Sequence, residues 1–286
     1  MHLLDRLLVL PQHLLPQHAL SAAVRRLTRA ENALAPYAIR TFCALYGVDL
    51  SEAAEGLQSY RSFNQFFTRA LRSDARPVAR EPGIVVSPAD GAISQLGSLD
   101  QGRLLQAKGR HFPLSALLAD DGDLSRPLEG GRFVTVYLSP RDYHRVHAPF
   151  DCAVHSVRYI PGQLFSVNDR TSRNIEGLYA RNERLVLGCE SEWGPCAIVM
   201  VGAMLVSAME LRCCDVPAMA ARAGVTYERL SAPAHYGRGD EIGRFNMGST
   251  VILALPPAAP DWLPGLGNGT PVRMGQSLSR PVATPG

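Results

Sequence analysis

The 286-residue sequence predicts an α+β protein. An N-terminal segment of short helices, residues 1–75, precedes a mainly antiparallel β barrel or sandwich-like domain over residues 76–286. Three observations predict this. Leu, Ala and Arg dominate the first 75 residues, and Pro11, Pro16 and Pro36 divide them into helix-length pieces. From about Val85, short apolar and β-branched runs bounded by Gly, Pro, Asp or Asn take over. Between those runs lie Gly-rich breaks, with no helices long enough for βαβ crossovers, so neighbouring strands pair antiparallel.

The elements follow in order. Leu3–Leu10 is apolar but carries Asp5 and Arg6 and stops at Pro11, too short and too broken for the core of a signal peptide. Residues 1–29 hold Arg6, Arg25, Arg26 and Arg29 against Asp5 alone, among Leu3, Leu4, Leu7, Leu8, Leu14, Leu15 and Leu20. That pattern has two readings: a helical hairpin packed on the core with a solvated basic face, or a helix lying on an anionic membrane surface. Ser62-Phe63-Asn64-Gln65-Phe66-Phe67 reads as an N-capped helix with its aromatic residues on one face. Arg76-Pro77 opens an extended connection. The strand candidates are Val85-Val86, Gly91–Ser94, Phe133–Leu138, Ala153–Val157, Arg184–Leu187, Ala197–Val201 and Thr250–Leu255, with a late strand near Val272. The longest uncharged run, between Glu192 and Glu210, is broken by Gly194-Pro195 and Gly202 and reads as two buried strands rather than a membrane span. No internal repeat is present.

Composition narrows the function. A net charge of +3 is too small to indicate a nucleic-acid binder. Lys108 is the sole lysine, so a cofactor anchored through a lysine amine has one possible attachment point. The six cysteines, Cys43, Cys152, Cys189, Cys196, Cys213 and Cys214, form no Cys-x-x-Cys pair. They read as buried free thiols in a reducing compartment, with neither a zinc site nor a disulfide framework.

Three clusters could carry chemistry. Ser87-Pro88-Ala89-Asp90-Gly91 places a carboxylate before a glycine, which by itself marks an Asx-turn. Tyr137-Leu138-Ser139-Pro140-Arg141-Asp142-Tyr143-His144-Arg145-Val146-His147 sets two histidines three apart behind a strand. Imidazoles there can move protons near neutral pH or bind a metal, and most such pairs are incidental. Gly243-Arg244-Phe245-Asn246-Met247-Gly248-Ser249-Thr250 runs into the last long strand, and alone it is a turn.

Together the three clusters resemble the phosphatidylserine decarboxylases, a pyruvoyl-dependent family of the prokaryotic membrane-associated type. Gly248-Ser249-Thr250 matches the family's processing motif. The segments around Asp90 and His144 match, as do Gln106-Ala107-Lys108-Gly109, Leu164-Phe165-Ser166-Val167-Asn168, Ala180-Arg181-Asn182-Glu183-Arg184 and Ser62 to Arg69. The resemblance covers about residues 55–280 and is looser in the N-terminal helices. Met247 stands where Leu is common in the family.

The resemblance implies a self-processed lyase. Ser249 Oγ attacks the Gly248 carbonyl, the peptide becomes an ester, and loss of the Ser249 α-proton eliminates it. Hydrolysis of the resulting dehydroalanine leaves a pyruvoyl group at position 249. The chain is thereby split into residues 1–248 and 249–286. Serine supplies both nucleophile and leaving oxygen, and glycine leaves the attacked carbonyl unobstructed. The expected base is His147, oriented by Asp90 in Asp-His-Ser fashion, with Asp142 as the competing orienting carboxylate. In turnover the pyruvoyl group forms a Schiff base with phosphatidylserine, and His144 is the expected acid for the product carbon. The expected site residues are therefore Asp90, His144, His147, Gly248 and Ser249, with no metal. The expected partners are phosphatidylserine, an anionic membrane at the cytoplasmic face of the cell, and a second processed protomer in a homodimer, with no nucleic acid. An anionic lipid substrate favours the membrane-surface reading of residues 1–29. Two other readings remain at this stage: a metal-dependent hydrolase using His144 and His147, and a non-catalytic membrane-binding β module.

Overall fold

The computed structural model describes residues 10–13, 15–107, 110–119, 122–204, 208–222, 224–246 and 249–281. Gly248, Met247, Lys108, Gly109, Leu14 and the residues from Leu3 to Leu8 lie outside them.

Three helices open the chain: Gln17–Arg29, Ala35–Tyr46 and Phe63–Phe67. Pro16 stands just before the first, and Pro36 lies in the first turn of the second, where a missing N–H costs nothing. Ser62 caps the third, its Oγ accepting from Gln65 N at 3.2 Å. Its aromatic face builds a small second core, in which Ile39, Tyr60 and Phe66 are buried and Phe42 and Phe63 pack at their edges.

Thirteen strands follow among the described residues: β1 (Gly91–Ser98), β2 (Arg103–Ala107), β3 (Arg110–Pro113), β4 (Arg132–Leu138), β5 (Arg145–His147), β6 (Cys152–Ile160), β7 (Arg184–Ser191), β8 (Gly194–Val201), β9 (Met209–Leu211), β10 (Thr226–Tyr236), β11 (Glu241–Phe245), β12 (Ser249–Leu255) and β13 (Pro271–Val272). Eight form one antiparallel sheet in the order β10-β6-β7-β8-β12-β4-β1-β13. The α+β class and the antiparallel pairing are as expected. Of barrel and sandwich-like forms, the sheet takes the open one, with β10 and β13 at its two ends. β5, β11 and β9 make a small second sheet. The uncharged run supplies β8, which stops at Val201, and β9, which starts at Met209. Val85-Val86 forms only an isolated bridge, with Val86 opposite Ser277, because the neighbouring N–H groups bond to Ser279 Oγ and Pro149 O instead.

Register positions the site. Every residue of β12 is buried between β4 and β8, which is why that strand reads as a continuous apolar run. On β4, Leu138 faces Ser249, while Tyr137 lies between Thr250 on one side and Ala92 on the other. Asp90 and Ser249 therefore flank the C-terminal end of β4, about two strand spacings or ~10 Å apart. The histidine segment departs from that same end. Its return is pinned by His147 N donating to Pro88 O at 2.8 Å and by Phe245 N donating to His144 O at 3.0 Å. Gly91 is required here: a Cβ would lie 2.2 Å from Tyr137 O.

The helices dock beside this end of the sheet through side chains that capture backbone. Gln17 Oε1 accepts from Leu164 N at 2.6 Å, and Gln12 Oε1 accepts from Ser166 N at 3.0 Å. The same loop is held from beneath by buried Asn182, which bonds Phe165 N, Phe165 O and Gly202 O.

Candidate active site

Asp90 is buried and saturated. Arg76 Nε donates to its two carboxylate oxygens at 2.9 and 3.0 Å, Arg76 Nη2 adds a 2.5 Å bond, and Met274 N donates at 2.9 Å. Arg76 also reaches Glu52 at 2.8 Å. Burial works against the Arg76 charge, and the Asp90 and Glu52 carboxylates overcome it, raising its pKa. The Asx-turn expected around Asp90 is not what holds it.

His147 is buried with both ring nitrogens engaged. Nδ1 donates to Gly239 O at 2.7 Å, and Nε2 accepts from Tyr143 Oη at 3.0 Å. Those bonds assign the neutral Nδ1–H tautomer. Burial lowers its pKa, against smaller opposing contributions from the Gly239 carbonyl and the Glu241 and Asp90 charges. Burial also pushes Tyr143 up to about 12, so it remains a phenol and a donor. The expected Asp90–His147 hydrogen bond is absent: the Arg76 fork takes the Asp90 oxygens, and a carbonyl takes the His147 N–H. Asp90 acts on His147 only through its charge.

His144 is fully buried and differently placed. Nδ1 donates to Asp142 O at 2.7 Å, and the ring packs on Phe67 with centroids 4.0 Å apart. Nε2 is left as a buried lone pair with no partner among the described residues. Burial lowers its pKa to about 3; the Asp142 carbonyl opposes this and the Arg69 cation adds to it. Asp142 thus orients His144 through its backbone. Its carboxylate accepts from Ser139 N and Oγ, both at 2.7 Å, and closes the turn after β4. Arg145 pairs with Glu241 at 2.9 Å rather than with Asp142.

Ser249 opens β12 fully buried, and its Oγ also has no partner among the described residues. Neither does the adjacent Thr250 Oγ1. Three orphaned polar atoms thus belong to the two motifs that converge at the end of β4. Native proteins rarely leave such groups unpaired unless chemistry requires them, since each costs about 1–3 kcal/mol. An apolar cavity of about 180 Å³ is lined by Phe67, which packs on His144, by Leu138, which is paired with Ser249 in the sheet, and by Phe42 and Tyr46 of the second helix. Among the described residues no cluster of three or more His, Cys, Asp or Glu side chains could hold a metal.

The family model for phosphatidylserine decarboxylase matches residues 63–280, and a further model described as PSD matches residues 7–47. Curated relatives align over nearly the whole chain. A phosphatidylserine decarboxylase proenzyme of Pseudomonas paraeruginosa is 48% identical, covering 97% of this chain and 98% of its own length. One from Pseudomonas aeruginosa is 47% identical over the same shares. One from Bordetella bronchiseptica is 45% identical, over 98% of this chain and 96% of its own. The chain belongs to the phosphatidylserine decarboxylase family. It is accordingly a carboxy-lyase.

In this decarboxylase Asp90 and Ser249 flank the C-terminal end of β4, from which the segment carrying His144 and His147 departs, and the Asp90 charge reaches His147; Ser249 Oγ bonds neither histidine among the described residues, and Gly248 lies outside them. Sequence reasoning missed Arg76 and Gly239 as the immediate partners of Asp90 and His147. A lone arginine 14 positions before its carboxylate, and a carbonyl 92 positions after its histidine, leave no local signal. Tyr143 stood inside the quoted motif, and its place four residues before His147 was the available clue.

Proposed function

We propose that this decarboxylase is made as a precursor that cleaves itself between Gly248 and Ser249 and then converts phosphatidylserine to phosphatidylethanolamine and carbon dioxide. The observation that carries the reading is the buried, unpartnered Ser249 hydroxyl at the head of β12. A hydroxyl kept dry and unbonded is not quenched by solvent or by a structural acceptor. The name proenzyme carried by the relatives supports a precursor.

In maturation, Ser249 Oγ attacks the Gly248 carbonyl carbon and gives its proton to His147, which burial keeps neutral and able to accept it. The Asp90 charge favours the imidazolium that forms, as the carboxylate of a triad does. The C–N bond breaks as the proton passes to the Ser249 nitrogen, leaving an ester. Removal of the Ser249 α-proton expels the Gly248 carboxylate, and water releases ammonia. The resulting pyruvoyl carbonyl at position 249 supplies the sink for the electrons that decarboxylation leaves behind. The burial of Ser249 and the dry wall of Leu138 and Phe67 fit such a group, because both keep water from it. In turnover the His144 Nε2 lone pair takes up a proton and passes it to the product carbon, its ring fixed by Phe67 and Asp142 O. A second reading exchanges the two histidines. It rests on the free lone pair of His144, since His147 Nε2 is already bonded to Tyr143.

We further propose that the N-terminal helices rest on an anionic membrane at the cytoplasmic face. Leu20, Leu27, Leu34, Tyr37 and Leu45 are exposed large apolar side chains on or between the first two helices, and Arg25, Arg26 and Arg29 accompany them. No helix among the described residues is long and apolar enough to cross a membrane. The packed-hairpin and surface readings are compatible, because Gln12 and Gln17 dock one side and leave the leucines outside. Co-sedimentation should be strong with phosphatidylglycerol vesicles and weak with phosphatidylcholine vesicles. Leu27→Glu combined with Leu45→Glu should abolish it, and undiminished binding by that variant would sink the proposal.

The test of the function is Ser249→Ala, which should leave one intact chain without decarboxylase activity. A variant that still cleaved or turned over would overturn the reading.

A further inference from the structure

Arg69 follows the helix that supplies Phe67 to His144, and it is 94% buried at 6% exposure. Its guanidinium makes no hydrogen bond or ion pair to any described residue, and its Nε is a fully buried donor without a partner. Among the described residues it rests on the Phe66 ring, 5.1 Å from Cζ. Arg184 shows how this protein treats an arginine whose role is structural. Equally buried, it donates to Leu117 O at 2.6 Å, Ala180 O at 2.7 Å, Ala116 O at 2.8 Å and Asn182 O at 2.9 Å. A buried cation without either carboxylate or carbonyls is costly unless an anion arrives.

The surroundings have room for one. Arg69 lines a polar cavity of about 460 Å³ with Arg61, Arg145 and Arg244. Those three already hold carboxylates, through Glu31, Glu241 and Glu210 respectively. Arg69 also lines the cavity that contains Asp90 and Tyr143, and its charge is felt at His144. It therefore lies between an open basic cavity and the reacting centre.

We propose that Arg69 binds the phosphodiester of the phospholipid headgroup, presenting its guanidinium edge to the phosphate oxygens while the serine end lies toward Ser249 and His144. The inference rests on the decarboxylase reading given above. The substrate offers two anions, and the chemistry separates them. The carboxylate loses its charge as carbon dioxide leaves, so a cation bound to it would stabilise the ground state and slow the step. The phosphodiester keeps its charge throughout, so a cation bound to it strengthens substrate and transition state alike, and appears in KM rather than kcat.

The probe is glycerophosphoethanolamine, a phosphodiester without a carboxylate, compared with free serine, a carboxylate without a phosphate. Its binding is read by phosphorus NMR on the uncleaved Ser249→Ala chain, so the result does not depend on activity. Arg69→Gln should weaken glycerophosphoethanolamine about ten- to a hundredfold, the contribution of a charge-assisted hydrogen bond, and leave serine unchanged. Arg69→Lys should recover part of the loss. In the processed enzyme Arg69→Gln should raise KM for a short-chain phosphatidylserine by a similar factor with little change in kcat. If Arg69→Gln does not fold, the Arg69 Nε–H resonance of the Arg69-containing chain gives the same answer, shifting with glycerophosphoethanolamine and not with serine. Unchanged glycerophosphoethanolamine binding by Arg69→Gln, a loss confined to serine, or an unmoved Nε–H resonance would each overturn the proposal. Failure of the decarboxylase reading would show separately, as absent turnover with phosphodiester binding intact.

Discussion

His144 and His147 stand three residues apart, both buried, in opposite circumstances. His147 belongs to a satisfied region: its two nitrogens meet Gly239 O and Tyr143 Oη, and nearby Asp90 is closed off by Arg76 and Met274 N. His144 belongs to an unsatisfied one, in which its Nε2, Ser249 Oγ and Thr250 Oγ1 are all buried without partners. The difference teaches where stability and chemistry have been separated. Polar groups around Asp90 are paired to each other and hold three chain segments together. Those around Ser249 are left for atoms that arrive, or bonds that form, during reaction.

The largest effects should come from breaking each histidine in turn. His147→Ala should block cleavage of the precursor, with general-base loss of about 10²–10⁴-fold in rate. His144→Ala should still cleave and lose turnover. Gel separation of the two chains over time, followed by carbon dioxide release, checks both. If His144→Ala stays uncleaved while His147→Ala matures, the two assignments must be exchanged.

Next comes the satisfied region itself. Arg76→Ala leaves the Asp90 carboxylate buried without its cation and should cost about 3–5 kcal/mol. Arg212→Ala, which removes an exposed partner of Glu241, should cost less than about 1 kcal/mol. Urea unfolding in the uncleaved Ser249→Ala background compares them, and equal losses would refute the contrast.

A further effect concerns pH. His144 has a folded pKa lowered by burial to about 3, against about 6.5 when unfolded. Below pH 6.5 the unfolded chain takes up a proton that folded His144 refuses. Stability therefore falls as pH drops from about 6.5 toward 3, by at most about 1.4 kcal/mol per pH unit from this group. His144→Asn should flatten that part of the profile, and parallel profiles would show that His144 does not titrate as argued.

Much of the fold was legible because its central strands are buried on both faces. Phe133–Leu138 and Thr250–Leu255 announce themselves as apolar runs and became β4 and β12. β10 was not legible: it is an edge strand with mostly exposed residues, Pro233 and a register shift, and its burial alternates without a matching alternation of apolar and polar residues. The site was legible as motifs but not as a network. Asp90, His144, His147 and Ser249 could be named from their segments, and register on β4 explains their convergence. Their partners could not be named, because Arg76, Gly239 and Arg69 meet them only through tertiary packing.

The central claim is that residue 249 becomes its own cofactor after the chain breaks before it. Intact-mass measurement of the purified, active protein tests this most directly. Two polypeptides are expected, residues 1–248 and residues 249–286, the second lighter than its serine form by one ammonia because it carries a ketone and no free amine. An active protein that remained a single chain of 286 residues would contradict it.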